Sequence, residues 1–346
     1  MLNEGIRVEE VKTCLLCNTE GLLLYKEMCD RLFSAPGIWN FFRCPKCGLI
    51  WLNPRPLSDE INKIYASYFT HTEGDRNQRW VLLKNQIKWA IIATDFGYNS
   101  LLKKSSSRLI GRVLSLLPGV KEMAELSIMC LDGHRKGKLL DVGCGDGQFL
   151  AQMQHLGWEA MGIEPDREAA KVAQEHFNIP VMAGTLESAK FPDNFFDAVT
   201  LSHTIEHVSN PIWLLQECRR VLKQNGKLVV TTPNVASLGH QRFGKAWWGM
   251  DPPRHFYLFS LQTLADCAEE SGFHIQRLYT TARWAREIWD ASRLIRRECK
   301  IHGWPYACHI SWSLRLEGLI FQIFEHGLRF FRNNVGEELV LIAYTK

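Results

Sequence analysis

From residue 139 onward, short apolar runs alternate with amphipathic stretches. Leu139 to Asp141 ends a first strand, Trp158 to Glu164 reads as a second and Ile179 to Ala183 as a third. Phe196 to Ser202 follows the turn-forming Pro192-Asp193-Asn194, and a fifth run, Lys227 to Asn234, follows Asn225-Gly226. Phe273 to Thr280 and Glu337 to Thr345 complete the set as sixth and seventh strands. Between them lie helical patterns of about ten to sixteen residues, one opened by Pro165 and Asp166 and running to Phe177, another capped by Ser260 and ending at Ser271-Gly272. This alternation predicts βαβ units and a parallel sheet that binds ligands at the carboxyl ends of its strands.

Two stretches break the rhythm. About fifty-five residues, 282–335, separate the sixth and seventh strands, where a short hairpin would suffice. Within them Leu316, Leu319, Ile320, Ile323, Phe324 and Phe331 form one helical stripe, opposite Arg315, Gln322, Glu325, Arg329 and Arg332. A second basic amphipathic stretch, Leu101 to Leu114, precedes the sheet. Packing against the core is the plain expectation for both; a peripheral membrane contact, a lid or a dimer face are the alternatives.

Composition narrows the class. The 346 residues are 46% hydrophobic and contain no long uncharged apolar run, so no membrane span is expected. The amino-terminal residues have no signal-peptide pattern, and a cytoplasmic protein is expected. A net charge of +4 is too mild to favour nucleic acid as a partner. Oligomeric state is not legible.

The first strand runs into Asp141-Val142-Gly143-Cys144-Gly145-Asp146-Gly147, whose G-x-G-x-G spacing lets the backbone turn sharply against a ligand. It differs from the dinucleotide G-x-G-x-x-G. Glu164 follows Gly143 by 21 positions, close to the spacing of a ribose-holding carboxylate. The run resembles motif I of the class I S-adenosylmethionine (SAM) dependent methyltransferases, and the resemblance covers residues 137 to 280 closely. It implies a Rossmann-like α/β fold with a seven-stranded sheet, its last strand antiparallel, and SAM as cofactor. Asp141, Gly143, Cys144, Gly145, Gly147, Glu164 and Pro165 would form the cofactor site. Thr185 stands where the family commonly has an acidic adenine ligand, so that contact would fall to backbone around Leu186.

Eleven cysteines in a reducing compartment call for a reason other than disulfides. Cys14-x2-Cys17 and Cys44-x2-Cys47 are separated by 26 residues, and two such knuckles complete a tetrahedral sulfur site for structural zinc. A redox pair is the competing reading. The zinc ribbon, residues 1–57, runs into Asn53-Pro-Arg-Pro56 and an aromatic-rich helix starting near Ser58. This resembles bacterial methyltransferases of sugar and surface-glycan pathways, whose helix aromatics help to cover substrate; Tyr65, Tyr68 and Phe69 are then lid candidates, or merely pack the ribbon. Residues 58–136 would form a helical linker or lid before the methyltransferase domain of 137–346.

A proton acceptor for methyl transfer belongs at the end of the fourth strand. There Ser202-His-Thr-Ile-Glu-His207 offers three titratable side chains. By resemblance to sugar C-methyltransferases, His207 is the candidate base and Glu206 its orienting carboxylate; His203 is assigned to the methionine end of the cofactor. A helix-entry pair without catalytic duty is the competing reading. Quinone-pathway O-methyltransferases, some of which bind a divalent cation near this point, are a further resemblance, but no catalytic metal is expected. The stretch from Asn234 to His255 carries Trp247-Trp248, two prolines and Arg254-His255, making Trp248, Arg254 and His255 candidate acceptor contacts; core packing and a surface ion pair are the alternative. The reading is a SAM-dependent methyltransferase of a polar small molecule, with a sugar, nucleotide-sugar or glycan precursor preferred, methylated on oxygen or carbon. An RNA methyltransferase, a quinone or lipid-type O-methyltransferase at a membrane surface, and a non-catalytic scaffold are the alternatives.

Overall fold

The computed structural model describes residues 2–65, 78–99, 105–298 and 311–346. In chain order come strands β1 (Leu2–Asn3), β2 (Ile6–Glu9), β3 (Leu22–Met28), β4 (Trp39–Arg43), β5 (Ile50–Leu52) and β6 (Arg55–Pro56). Helices α1 (Ile61–Tyr65), α2 (Gln78–Asp95), α3 (Ser105–Leu114) and α4 (Pro118–Ser127) follow. The alternating part is β7 (Lys138–Val142), α5 (Gln148–His155), β8 (Glu159–Glu164), α6 (Arg167–Phe177), β9 (Val181–Ala183), α7 (Leu186–Ala189), β10 (Phe196–Ser202), α8 (Pro211–Val221) and β11 (Leu222–Pro233). Last come α9 (Leu238–Phe243), β12 (Tyr257–Leu258), α10 (Leu261–Glu270), β13 (His274–Thr281), α11 (Ala285–Glu298), α12 (Trp312–Leu328) and β14 (Glu338–Tyr344).

The seven-stranded sheet has the order β13-β14-β11-β10-β7-β8-β9, which is the class I methyltransferase arrangement. β7 pairs in parallel with β8 and β10, β8 with β9, and β14 runs antiparallel to β13. Both faces are covered, so β7, β10 and β14 read as apolar runs rather than as alternation. The fifth strand starts at Leu222, earlier than Asn225-Gly226 suggested. Two compact units divide the chain: residues 1–69, 201–219 and 230–346 in one, and 70–200 with 220–229 in the other.

In the second unit Asp166 caps α6 by accepting from the Glu168 amide, as its position before the periodic run predicts. Leu109 and Val113 of α3 are exposed rather than packed, and Leu101 to Lys104, the start of that expected stretch, lie outside the described residues. In the first unit the ribbon is a four-stranded antiparallel sheet, β12-β5-β4-β3. β12 is distant in sequence, so the ribbon sheet is not confined to the first 57 residues. Trp39, Phe41 and Trp51 are buried in it, and the Trp51 indole donates to the Val11 carbonyl at 2.8 Å. The Asn-Pro-Arg-Pro segment ties this unit together: Asn53 Oδ1 accepts from the Val11 amide, and Arg55 pairs with Glu9 at 2.7 Å and donates to the Ser209 carbonyl and the Tyr257 hydroxyl.

The long insertion forms α11 and α12, packed on each other. Leu314, Gly318, Phe321 and Glu325 make the inward face of α12. The expected packing of the apolar stripe is therefore corrected: Leu316, Leu319, Ile320, Ile323, Phe324 and Phe331 are all exposed. Gly318 lies on the inward side, where a Cβ would stand 2.7 Å from an Asp290 carboxylate oxygen and 3.2 Å from the Arg286 carbonyl of α11, so the two helices approach closely there.

Candidate active site

The turn after β7 holds Gly143, Gly145 and Gly147 at φ +77°, +54° and +79°, a left-handed series that other residues adopt only under strain. At Gly145 a Cβ would meet nothing within 4 Å, so one side of the turn is open to a ligand. Glu164, at the carboxyl end of β8, accepts from the Gly145 amide at 2.8 Å and the Asp166 amide at 2.9 Å. Turn and carboxylate are thus one unit, with the carboxylate pushed up by burial against those two donors. Asp141 is buried under the turn and accepts from Thr200 Oγ1 at 2.6 Å; burial raises it to about 7. Cys144 packs downward, its sulfur occupying the space that a Cβ at Gly162 would need. Pro165 is exposed, Leu186 is buried, and Thr185 caps α7, exchanging hydrogen bonds with Ser188. The Thr185 hydroxyl accepts from the Ser188 amide at 3.3 Å.

In the first unit, the end of β10 brings a dense polar cluster together. His203 sits at φ +52° with Nδ1 3.2 Å from Glu206 Oε1 and Nε2 2.8 Å from Glu338 Oε1. Burial opposes its charge, but the two carboxylates outweigh that and raise it to about 9, so His203 is an imidazolium at neutral pH. Both ring nitrogens are spent on carboxylates. Glu338 also receives Arg283 at 2.6 Å, and Glu206 accepts from Thr232 at 2.9 Å. Glu206 is fully buried, yet its hydrogen bond to the charged His203 outweighs burial and holds it ionised at about 2.

His207 Nδ1 lies 3.0 Å from the Arg254 carbonyl and 2.9 Å from the Tyr65 hydroxyl. A carbonyl only accepts, so Nδ1 carries the proton and Nε2 the lone pair. His255 is fixed the same way by the Gly249 carbonyl at 2.8 Å. Burial, then the nearby His255, lowers His207 to about 4, keeping it neutral. Glu206, His207 and His255 each bring a ligand atom within 4.8 Å of the others. Two imidazoles oriented by backbone carbonyls and a carboxylate are a set that can hold a divalent cation, which the sequence reading did not expect.

Other expected contacts divide. Tyr65 stands at His207, while Tyr68 and Phe69 lie outside the described residues. Trp248 borders, with Met28, Leu32 and Met250, a narrow cavity of about 10 Å³, room for little more than one water. Trp247 is core, its indole donating to the buried Glu337 at 2.8 Å. Arg254 corrects its assignment as an acceptor contact. It is fully buried, forked onto Asp30 at 2.8 and 2.9 Å and held by Asp251 at 2.5 and 3.0 Å. Its backbone carbonyl, not its guanidinium, serves the site. Glu338, Arg283 and Asp30 went unnoticed in the sequence; Glu337-Glu338 opening an otherwise apolar strand was the available signal.

The four ribbon cysteines gather as expected. Cys14–Cys47, Cys17–Cys44 and Cys17–Cys47 sulfurs are 3.5, 3.3 and 3.9 Å apart. A tetrahedron with sulfurs ~2.3 Å from its centre has edges of ~3.8 Å, so the donor set fits zinc.

Residues 116–278 match the family described as "Methyltransferase domain". This stretch is a class I SAM-dependent methyltransferase domain. Parts of the chain also align with known proteins. A mitochondrial ubiquinone biosynthesis O-methyltransferase of Rattus norvegicus is 37% identical over 112 residues, 30% of this chain and 32% of that protein. The Proteus mirabilis ubiquinone biosynthesis O-methyltransferase is 33% identical over 124 residues, 34% and 47% of the two chains. A malonyl-[acyl-carrier protein] O-methyltransferase of Paenibacillus is 27% identical over 216 residues, 57% of this chain and 76% of that one. The chain spans about a third to a half of the length of the ubiquinone relatives it matches.

Proposed function

We propose that the protein transfers the methyl group of SAM to a hydroxyl oxygen of a small acceptor, of the kind found in quinone precursors. The observation that carries this is a neutral His207 beside an ionised, buried Glu206, with His207 Nε2 left as a proton acceptor. In this reading the glycine turn and Glu164 hold the adenosyl ribose, and the sulfonium supplies an electrophilic methyl with a good leaving group. His207 takes the acceptor's hydroxyl proton as the oxygen attacks in line, and Glu206 stabilises the imidazolium formed. Tyr65 and the Arg254 carbonyl keep the ring in its reactive tautomer. Zinc on Cys14, Cys17, Cys44 and Cys47 is structural. A second reading rests on the Glu206, His207 and His255 set: a divalent cation there would acidify the acceptor hydroxyl.

Calorimetry with SAM, followed by a mass-resolved search for methylated hydroxylated acceptors, tests the proposal. Glu164→Ala is expected to weaken SAM binding about tenfold or more. His207→Gln is expected to keep SAM binding and lower turnover by about 10² to 10⁴. Undiminished turnover in His207→Gln removes the base assignment, and a second metal ion per chain besides the ribbon zinc, lost together with turnover in His255→Ala while the ribbon zinc stays, selects the second reading.

A further inference from the structure

We infer that the outward face of α12 is a docking surface for an anionic phospholipid bilayer, on which the protein rests without crossing it. α12 has two apolar faces. One packs inward through Leu314, Gly318 and Phe321; the other carries Leu316, Leu319, Ile320, Ile323 and Phe324, with Ile323 65% exposed. Aromatic side chains extend this face at both ends, Trp312 at 87% exposure and Phe331 at 86%. A soluble surface rarely gathers so many large apolar side chains without a partner. Aromatic residues ending an apolar helical face match the interfacial zone of a bilayer, where a ring is partly buried among headgroups.

Charge chooses the occupant. Residues 283–335 contain nine Lys and Arg against five Asp and Glu, a surplus equal to the +4 of the whole chain. On α12 and just beyond it Arg315 and Arg332 are exposed, and on α11 so are Arg296 and Arg297, while Arg293 pairs with Glu317 at 3.5 Å. A second copy docked symmetrically on the same face would set identical cationic surroundings against each other, which disfavours a dimer. An anionic lipid surface meets both features at once, taking the apolar side chains between its headgroups and the arginines onto its phosphates. No described helix is long and apolar enough to span a membrane. The insertion lies outside the matched residues 116–278, and the surface does not depend on the methyl-transfer chemistry.

The test is co-sedimentation of the full chain with vesicles of equal parts phosphatidylglycerol and phosphatidylcholine, and with vesicles of phosphatidylcholine alone. Partition to the anionic vesicles at low salt is expected, about tenfold or more weaker on neutral vesicles or at high salt. Ile320→Glu with Ile323→Glu is expected to reduce it by about tenfold or more, as is Arg315→Glu with Arg332→Glu should the first pair fold poorly. Absence of binding, or equal binding by the wild type and a folded charge variant, overturns the inference. So does light scattering that shows a wild-type dimer broken by Ile320→Glu with Ile323→Glu, which would make the face a protein interface.

Discussion

His203 offers a test of the cluster that needs no substrate. Its imidazolium is wedged between Glu206 and Glu338, both buried, and is raised from 6.5 to about 9 because those carboxylates outweigh the cost of burial. In the unfolded chain the ring titrates near 6.5. Below that pH both states hold the proton and the contribution to stability is complete; as pH rises through about 9 the folded ring loses its charge and the contribution disappears. A tenfold difference in proton affinity between the two states corresponds to about 1.4 kcal/mol. The side chain is 33% exposed, and solvent screening reduces the whole effect to about 1–2 kcal/mol. His203→Gln preserves one hydrogen bond and removes the charge. The variant should melt roughly 2 to 4 °C below the wild type at pH 6.5, and the gap should close by about pH 10. Measuring the difference between two proteins cancels the cysteines, tyrosines and lysines that also titrate there. A gap that persists unchanged into alkali, or no gap at pH 6.5, would refute the assignment of His203 as the cation joining the two carboxylates.

His207 carries the opposite sign: its folded value is lowered to about 4, so stability rises with pH between about 4 and 6.5, and acid-side melts of His207→Gln should lack that rise. Arg254→Met should cost about 3–5 kcal/mol in denaturant titrations, because Asp30 and Asp251 are left as buried charges without a cation; adding Asp30→Asn should recover part of it, and a loss under about 1 kcal/mol would contradict the buried fork. The full chain is expected to hold one zinc by elemental analysis and Cys44→Ser none; an equal metal content in both would dismiss the sulfur tetrahedron.

Local patterns were enough to place the strands. Six of the seven sheet strands follow apolar runs to within two residues at each end, since a buried parallel strand must be continuously apolar and its turns need glycine, proline or asparagine. The glycine turn and Glu164 were legible for the same reason: a left-handed backbone and a carboxylate at fixed spacing are both local demands. Cys14, Cys17, Cys44 and Cys47 announced themselves by spacing alone. Sequence could also name His207, Glu206 and His255 as polar residues near loop ends.

Their roles could not be assigned that way. Arg254 and His255 are neighbours, yet one is locked in a buried fork with Asp30, more than two hundred residues away, and the other joins His207. Glu338 reaches His203 only because β14 returns at the far end of the chain to lie within the sheet. The stripe on α12 was visible as periodicity, but periodicity does not say which side of a two-faced helix turns inward. The packing against α11 settled that, with Leu314, Gly318 and Phe321 on the buried side. The amino-acid order determined the elements and the sharp turns, which depend on a few adjacent residues. The tertiary structure decided which charges are paired, which proton each histidine carries and which apolar face meets water, because those depend on burial and on partners brought from distant strands.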